Sequence, residues 1–486
     1  MRSIERDWLR RALWGCTFDD FLIAPGWGIA KSRKEISLAS KFSHNIRLKI
    51  PIVSANMDTI TGARMAIAIA KEGGLGIIHR YLSIADQVSK VEEVKREENF
   101  IIEKPYSIFA HQTINEARKL MAKNKVGGLM VVNDSGKLVG ILTNRDIRYC
   151  AETELVSSRM TSPPELLTAK LAEISLEKAK ALMDQHCLEK LPLVDADFNL
   201  KGLITSKDIE NMEKYPLANK DTNGQLIVGA AIGATGDYIE RTAELIKANV
   251  DVIVLDIANA QSDVGLAAVV NFRKNFPSME LVVGNIVIPE AIAVFMRQDV
   301  NGFKVGLGPG SACTTRKNTN IGVPQAQAVY TCLMASSVPI CADGGIKRNG
   351  SIAEALILGA GSVMIGGMFA GTDESPGLVF RDSTGRKVKS FRGMASREAM
   401  YEKLRAEEAD DPYEISSRIS PEGIEKNVEY RGSVVPMIAD IIGNLASTIS
   451  YMGAMSLQEA KEMFMERPTS FLIKLSEAAK RESWER

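Results

Sequence analysis

The sequence predicts a closed parallel α/β barrel interrupted by an inserted, internally repeated unit. Three observations carry that expectation. Short apolar runs alternate with amphipathic stretches on both sides of the middle of the chain. The middle holds two copies of one pattern. Glycine-rich and polar segments sit at the C-terminal ends of the apolar runs.

The apolar runs are VDVIVLDIA (250–258), MELVVGNIV (279–287), NGFKVGLG (301–308), VPICADGG (338–345) and GSVMIGGMF (361–369). Between them lie DYIERTAELIKAN, PEAIAVFMRQD and GSIAEALILGA, which carry helical patterning. Strands joined by crossover helices imply a parallel sheet. Such repetition over about 270 residues predicts a (β/α)8 (TIM) barrel.

The repeat pairs VVNDSGKLVGILTNRD, ending at Asp146, with LVDADFNLKGLITSKD, ending at Asp208. At an offset of 62, Gly140 matches Gly202, Thr143 matches Thr205 and Asp146 matches Asp208. Each copy reads as strand, turn, strand, then a helix opening at Thr-x-x-Asp. Asn133-Asp134-Ser135-Gly136 and Asp195-Ala196-Asp197 supply turn chemistry. INEARKLMAKNK and SLEKAKALMDQH precede the two strand pairs as amphipathic helices. Two copies suit a pseudo-symmetric pair that buries one shared face. The expected division is therefore 1–94 for the first part of the barrel, 95–215 for the insert and 216–486 for the rest.

Bulk composition narrows the classes of function. Lys+Arg and Asp+Glu both number 60, giving zero net charge, so a general nucleic-acid binder is not expected. The six cysteines (Cys16, Cys150, Cys187, Cys313, Cys332 and Cys341) form no close pair, and only four histidines are present. A zinc site or disulfide scaffold is not expected, and a reducing, cytoplasmic setting is. The charged N-terminus lacks a signal-peptide core, and no run of 18 apolar residues predicts a membrane span.

In a barrel, chemistry belongs to the loops after the strands. The segment VGLGPGSACTTRKNTNIGVPQ (305–325) contains four glycines, with Pro309 among them, so its backbone can approach a ligand or ion closely. Cys313 lies at its centre, beside Thr314, Thr315 and Arg316. A thiol in a polar, cationic loop is a candidate nucleophile. The alternative, a buried structural cysteine, suits Cys332 and Cys341 better. Asp343-Gly344-Gly345 and Ile365-Gly366-Gly367 end two consecutive runs. Paired glycines before a helix let amide N–H groups surround a phosphate. Asp343 is a candidate acceptor for ribose hydroxyls.

These segments carry a resemblance. FDDFLIAP (18–25), SANMDT (54–59), LDIAN (255–259), GNIV (284–287), GPGSACTTR (308–316), ADGGI (342–346), IGGMFAGTDESPG (365–377), FRGMAS (391–396) and PEGIE (421–425) occur in order. The chain resembles the IMP dehydrogenase/GMP reductase family along nearly its whole length. The resemblance implies that Cys313 attacks purine C2 to form a thioimidate, with Thr315 and Glu422 moving protons. It implies a nucleotide held by Ser311, Asp343, Gly345, Gly366, Gly367, Gly393, Met394 and Gly423. It places a nicotinamide cofactor against Asp256, Ala258, Asn259 and Gly306. Backbone carbonyls of Gly308, Gly310 and Cys313 would bind K+. The repeat resembles a tandem CBS (Bateman) module, in which Thr143, Asp146, Thr205 and Asp208 would bind an adenine or guanine nucleotide. The plainer reading is that these residues cap helices. The family implies a homotetramer or homo-octamer.

Two branches share the intermediate. Dehydrogenases oxidise IMP with NAD and then hydrolyse the adduct with an Arg-Tyr pair on a flap. Reductases expel ammonia from GMP and accept hydride from NADPH. Here the flap reads Asp410-Asp411-Pro412-Tyr413-Glu414, with Pro412 where the arginine belongs. Asn56, Asn259, Lys317 and STISYMGA also match the reductase pattern. TDESPG, PEGIE and the insert have dehydrogenase character, with Arg405 or Arg418 as the candidate base. Gly26-Trp27-Gly28 stands where common reductases have Lys-Arg-Ser, which leaves NAD possible. The sequence reading is a GMP reductase closest to the CBS-containing bacterial group, with IMP dehydrogenase as the alternative.

Overall fold

Eight short strands close into a barrel in the computed structural model, which describes residues 2–97, 102, 105–124, 126–406 and 410–484. In chain order they are β1 (Ile52–Ser54), β2 (Leu75–Ile78), β3 (Val228–Ile232), β4 (Val252–Asp256), β5 (Leu281–Ile286), β6 (Gly302–Val305), β7 (Ile340–Asp343) and β8 (Ser362–Ile365). All eight pairings are parallel and follow chain order, with β8 closing on β1. The fold is a TIM barrel. Its strands are covered on both faces, which explains why they read as unbroken apolar runs rather than alternating ones. Val252, Ile253, Val254 and Leu255 of β4 are all fully buried. Each such side chain contributes roughly 1.5–3 kcal/mol through burial.

The helices between strands turn one stripe inward. Asp263–Asn275 starts at Ser262, whose hydroxyl accepts from the Gly265 amide, and buries Ala268, Val269 and Phe272. The helix Val434–Met452 is long and apolar enough to cross a membrane by length and composition. Its stripe Val434, Ile438, Ile441, Leu445, Ile449 and Met452 is buried, as in a core helix. Phe21–Ile23 pairs antiparallel with Leu472–Lys474, tying the two ends of the barrel chain together.

The chain separates into two compact units. The barrel unit comprises Met1–Glu97, Leu217–Thr222 and Leu226–Arg486; the second comprises Glu98–Pro216 and Asn223–Gln225. Inside the second unit the repeat is visible in the register itself. Val131 faces Gly140 in one hairpin and Leu193 faces Gly202 in the other, and each register shifts one residue later. Ile108, Ile114, Leu129 and Leu142 build one small core; Ala179, Leu191, Leu193 and Ile204 build its counterpart. A third cluster draws Met130, Leu138 and Ile141 from one copy and Val194 and Leu203 from the other.

Two local expectations differ from the structure. A helix follows Thr205 (Ser206–Lys214), but residues 144–149 pass through turns instead. There the Asp146 carboxylate folds back on Thr143, and Arg118 donates to the carbonyls of Ile147 and Cys150. Those side chains supply partners that a helix would otherwise need. Likewise no helix follows Gly366-Gly367. Phe369 N–H closes a turn on the Gly366 carbonyl, and buried Lys389 donates to the carbonyls of Thr372 and Ser375.

Candidate active site at the C-terminal rim of the barrel

The loops after the strands enclose a cavity of about 430 Å³. Cys313 lies in its wall, half-buried, two residues before the short helix Thr315–Thr319. Its Sγ is 3.2 Å from Thr315 Oγ1, and Thr315 donates to Glu422 Oε2 at 2.6 Å. Thiol, hydroxyl and carboxylate therefore form one continuous chain. A hydroxyl can pass a proton between its two neighbours, and a carboxylic acid can supply one. Cys332 and Cys341 differ sharply. Both are fully buried, and burial pushes their thiols up to about 12, which leaves them inert.

Glu422 reaches this chain because its segment docks on the cysteine loop through backbone contacts. Thr314 N–H donates to the Glu422 carbonyl at 2.8 Å, Ile424 N–H to Ala312 at 3.0 Å and Glu422 N–H to Ala395 at 3.0 Å. Cys313 and Gly423 form an antiparallel bridge. A Cβ on Gly393 would stand 2.7 Å from the Ala312 carbonyl oxygen, so only glycine permits this approach.

Arg316 plays a different part from the one its position suggests. Its guanidinium donates to the carbonyls of Leu307 and Val323, the first at 3.0 Å. It staples the two ends of the loop together. The carbonyls of Gly308, Gly310 and Cys313 belong to this stapled loop. Cys313 N–H already bonds Gly310 O at 3.0 Å, and a carbonyl keeps a second lone pair for a hard cation. The donor set fits K+.

Another part of the lining carries paired glycines and a carboxylate. Gly344 and Gly345 both have positive φ, at +87° and +78°, and turn the chain after β7. Ser311 Oγ lies against Gly367, where a Cβ would come within 2.8 Å of it. Asp343, Gly345, Gly366, Gly367, Gly393 and Met394 all line the cavity. Gly423 is not in its lining; it packs against Ala395 and Ser396. Asp256, Ala258 and Gly306 line the cavity too, whereas Asn259 is exposed outside it. Ala258 is exposed at the rim, two residues after Asp256.

Sequence reading missed several lining residues: Arg80, Tyr81, Asn285, Lys304, Phe391 and Met400. Lys304 lies on β6 and is 3% exposed. Its ammonium contacts Asp256 and Asp343, each at 2.7 Å, and Asn285 Oδ1. Burial alone would lower Lys304, but the two carboxylates outweigh it and hold it above the usual ammonium value. Burial alone would raise Asp256; facing Lys304, with Arg80 and Asn56 beside it, brings it below the usual carboxylate value. The flap's candidate bases lie elsewhere. Arg405 pairs with Glu402 and Arg418 with Glu414, all exposed, and neither arginine is in the described lining of the cavity. Pro412 opens the helix Pro412–Arg418, capped by Asp411. Tyr413 is 76% exposed.

The family model described as IMP dehydrogenase / GMP reductase domain matches residues 15–485. The chain belongs to this family. It is 41% identical to inosine-5'-monophosphate dehydrogenase of Nitrosopumilus maritimus, covering 96% of this chain and 97% of that one. It is 44% identical to the Helicobacter pylori enzyme of the same name, over 93% and 92%. Among solved structures, GMP reductase from Trypanosoma brucei in complex with guanosine 5'-monophosphate is 37% identical, with a TM-score of 0.88 over 96% of this chain and 97% of that one. The same enzyme in complex with guanosine 5'-triphosphate has a TM-score of 0.78 at 33% identity, over 95% and 98%. Members of the IMP dehydrogenase/GMP reductase family are oxidoreductases of purine nucleotides that use a nicotinamide cofactor, and the chain is such an oxidoreductase. The cavity, with a thiol in one wall and paired glycines in the other, is its candidate nucleotide site.

Proposed function

We propose that the chain is a GMP reductase, converting GMP to IMP and ammonia in purine salvage. The observation that carries this reading is the content of the cavity wall. A carboxylate that can carry a proton, Glu422, is joined to the nucleophile through Thr315, while Arg405 and Arg418 form exposed ion pairs outside the described lining. Reductive deamination needs a proton for the departing amine. Hydrolysis of the adduct needs an activated water instead.

In this mechanism the Glu422 carboxylate takes the Cys313 thiol proton through Thr315 as the sulfur attacks C2 of the purine. The 2-amino group then takes that proton back along the same path and leaves as ammonia, giving a thioimidate on Cys313. A bound nicotinamide, NADPH or NADH, would supply the hydride for C2. Expulsion of the thiolate releases IMP and restores the cysteine. Asp343 would take the ribose hydroxyls, and Ser311, Gly345, Gly366 and Gly367 the phosphate. Met394 and Gly393 would flank the base. Asp256, Ala258 and Gly306 would face the cofactor, with Asn259 at the outer edge. K+ on the carbonyls of Gly308, Gly310 and Cys313 would fix the loop that presents the thiol.

The names of the curated relatives favour a second reading, IMP dehydrogenase with NAD. One pair of assays separates the two: GMP with NADPH, scored for ammonia, and IMP with NAD, scored for XMP. Ammonia release from GMP is the expected result, and robust XMP formation would overturn the reductase reading.

We further propose that the insert, expected over residues 95–215, is a tandem CBS module. The repeated register and the cluster shared between the copies support it. Its purine nucleotide would meet Thr143, Asp146, Thr205 and Asp208. Asp146 now bonds Thr143, the arrangement of a local cap. Asp208 lies in the helix Ser206–Lys214, and its side chain is outside the described residues. Calorimetry with ATP and GTP on the full chain tests the assignment; absence of any site beyond the catalytic one would remove it. A homotetrameric or octameric, cytoplasmic enzyme completes the proposal.

A further inference from the structure

The buried ammonium of Lys304 has a role that neither nucleophile nor acid explains. It stands at the floor of the cavity, between β4 and β7, which carry one carboxylate each. An ammonium has three N–H donors, and all three have acceptors here: Asp256 Oδ1, Asp343 Oδ2 and Asn285 Oδ1. Asn285 in turn donates to Asp343 Oδ2 at 2.9 Å. Asp343 Oδ2 is thus committed twice, which leaves Oδ1 to face a ligand.

Two carboxylates share this one ammonium, whose side chain is 4% exposed while theirs are 18% and 22% exposed. Without the ammonium, two like charges would face each other there, and at least one would rotate away or take a proton. Neither state presents an ionised, fixed acceptor. Lys304 does not reach the thiol chain, whose members bond one another and the flap. Its influence is therefore on where the two acidic groups point.

We propose that Lys304 is a positioning residue that holds the nucleotide-side carboxylate Asp343 and the cofactor-side carboxylate Asp256 from one charge, coupling the two binding sites. The assignment of sides rests on the reductase reading; the three-way contact does not. The coupling has a direction. A sugar hydroxyl that bonds Asp343 Oδ1 draws charge from that carboxylate, and the ammonium's pull shifts toward Asp256. Binding in one site therefore changes the acceptor strength of the other, and by linkage the effect is mutual.

The test uses the full-length enzyme. Lys304→Gln should raise KM for GMP and KM for NADPH together, each roughly tenfold, as expected for loss of one charge-assisted contact per site. The rate of Cys313 alkylation by iodoacetamide in the absence of nucleotide should stay within twofold of the parent. Lys304→Arg should recover most of both KM values. Asn285→Ala removes bonds to Asp343, to Lys304 and to the Gly306 carbonyl together, so it too should raise both KM values. If Lys304→Gln is poorly folded by circular dichroism, the arginine and Asn285 variants still decide the matter. A rise in one KM only, for Lys304→Gln or for Asn285→Ala, would overturn the proposal. Should the parent prove to be a dehydrogenase, the same pair of KM values is read with IMP and NAD, so failure of the reductase reading is distinguished from failure of the coupling.

Discussion

Replacing Glu422 with glutamine removes the proton carrier while leaving an oxygen at the same distance from Thr315. The parent contact is 2.6 Å and joins a hydroxyl to a carboxylate, the stronger class of hydrogen bond. A positioned acid contributes about 10²–10⁴ in rate, which is ~3–5 kcal/mol of barrier. Glutamine keeps the geometry, so the expected loss lies near the lower end, about 100-fold in ammonia release. Thr315→Ala cuts the same path at its middle and should lose a similar amount. Because the two groups act in series, the double variant should be no slower than either single one. Single-turnover release of ammonia from saturating GMP measures the step, with KM for GMP expected near the parent value. A Glu422→Gln enzyme within threefold of the parent would refute the relay. So would a double variant whose loss equals the product of the two, about 10⁴-fold.

Three further outcomes follow from the geometry. Cys313→Ala should abolish turnover yet bind GMP with near-parental affinity by calorimetry, since the nucleotide cradle does not use the thiol. Gly393→Ala places a Cβ 2.7 Å from the Ala312 carbonyl, so the flap cannot seat; kcat/KM should fall at least about tenfold with little change in Tm. Glu354 is 4% exposed, and burial, opposed by Arg348 at 3.6 Å, pushes its carboxyl up to about 9. Its folded value lies above the unfolded one, so the folded protein binds the extra proton and stability falls as pH rises from about 4.5 to about 9. Glu354→Gln should therefore raise stability at pH 7 by up to about 3 kcal/mol and leave it unchanged at pH 4, as read by urea melts at both.

The barrel was legible because buried parallel strands leave continuous apolar runs. The insert was legible because its two copies keep one spacing, and the paired hairpins repeat it in their register. The cysteine loop announced itself through glycines around a thiol. Lys304 did not, although a lysine inside GFKV is a signal: a charge in a buried strand requires partners. Those partners come from β4, β5 and β7, and only closure of the barrel makes them neighbours. Arg80 and Tyr81 were missed for a similar reason, since nothing in their local sequence marks the strand end as part of the site. Arg316 was read as an electrostatic neighbour of the thiol; its guanidinium is spent on two backbone carbonyls. The paired glycines after β8 predicted a helix start, but distant Lys389 takes the carbonyls and fixes turns instead.

The bridge between Cys313 and Gly423 carries more than shape. The segment that docks on the cysteine loop is also the segment that delivers Glu422. Parting those two strands would open the exit and cut the proton wire in one movement. An empty, gaping enzyme would then hold a thiol with no acid behind it. The backbone hydrogen bonds that seat the segment, Thr314 N–H to Glu422 and Ile424 N–H to Ala312, are thus also what completes the path from thiol to carboxylate.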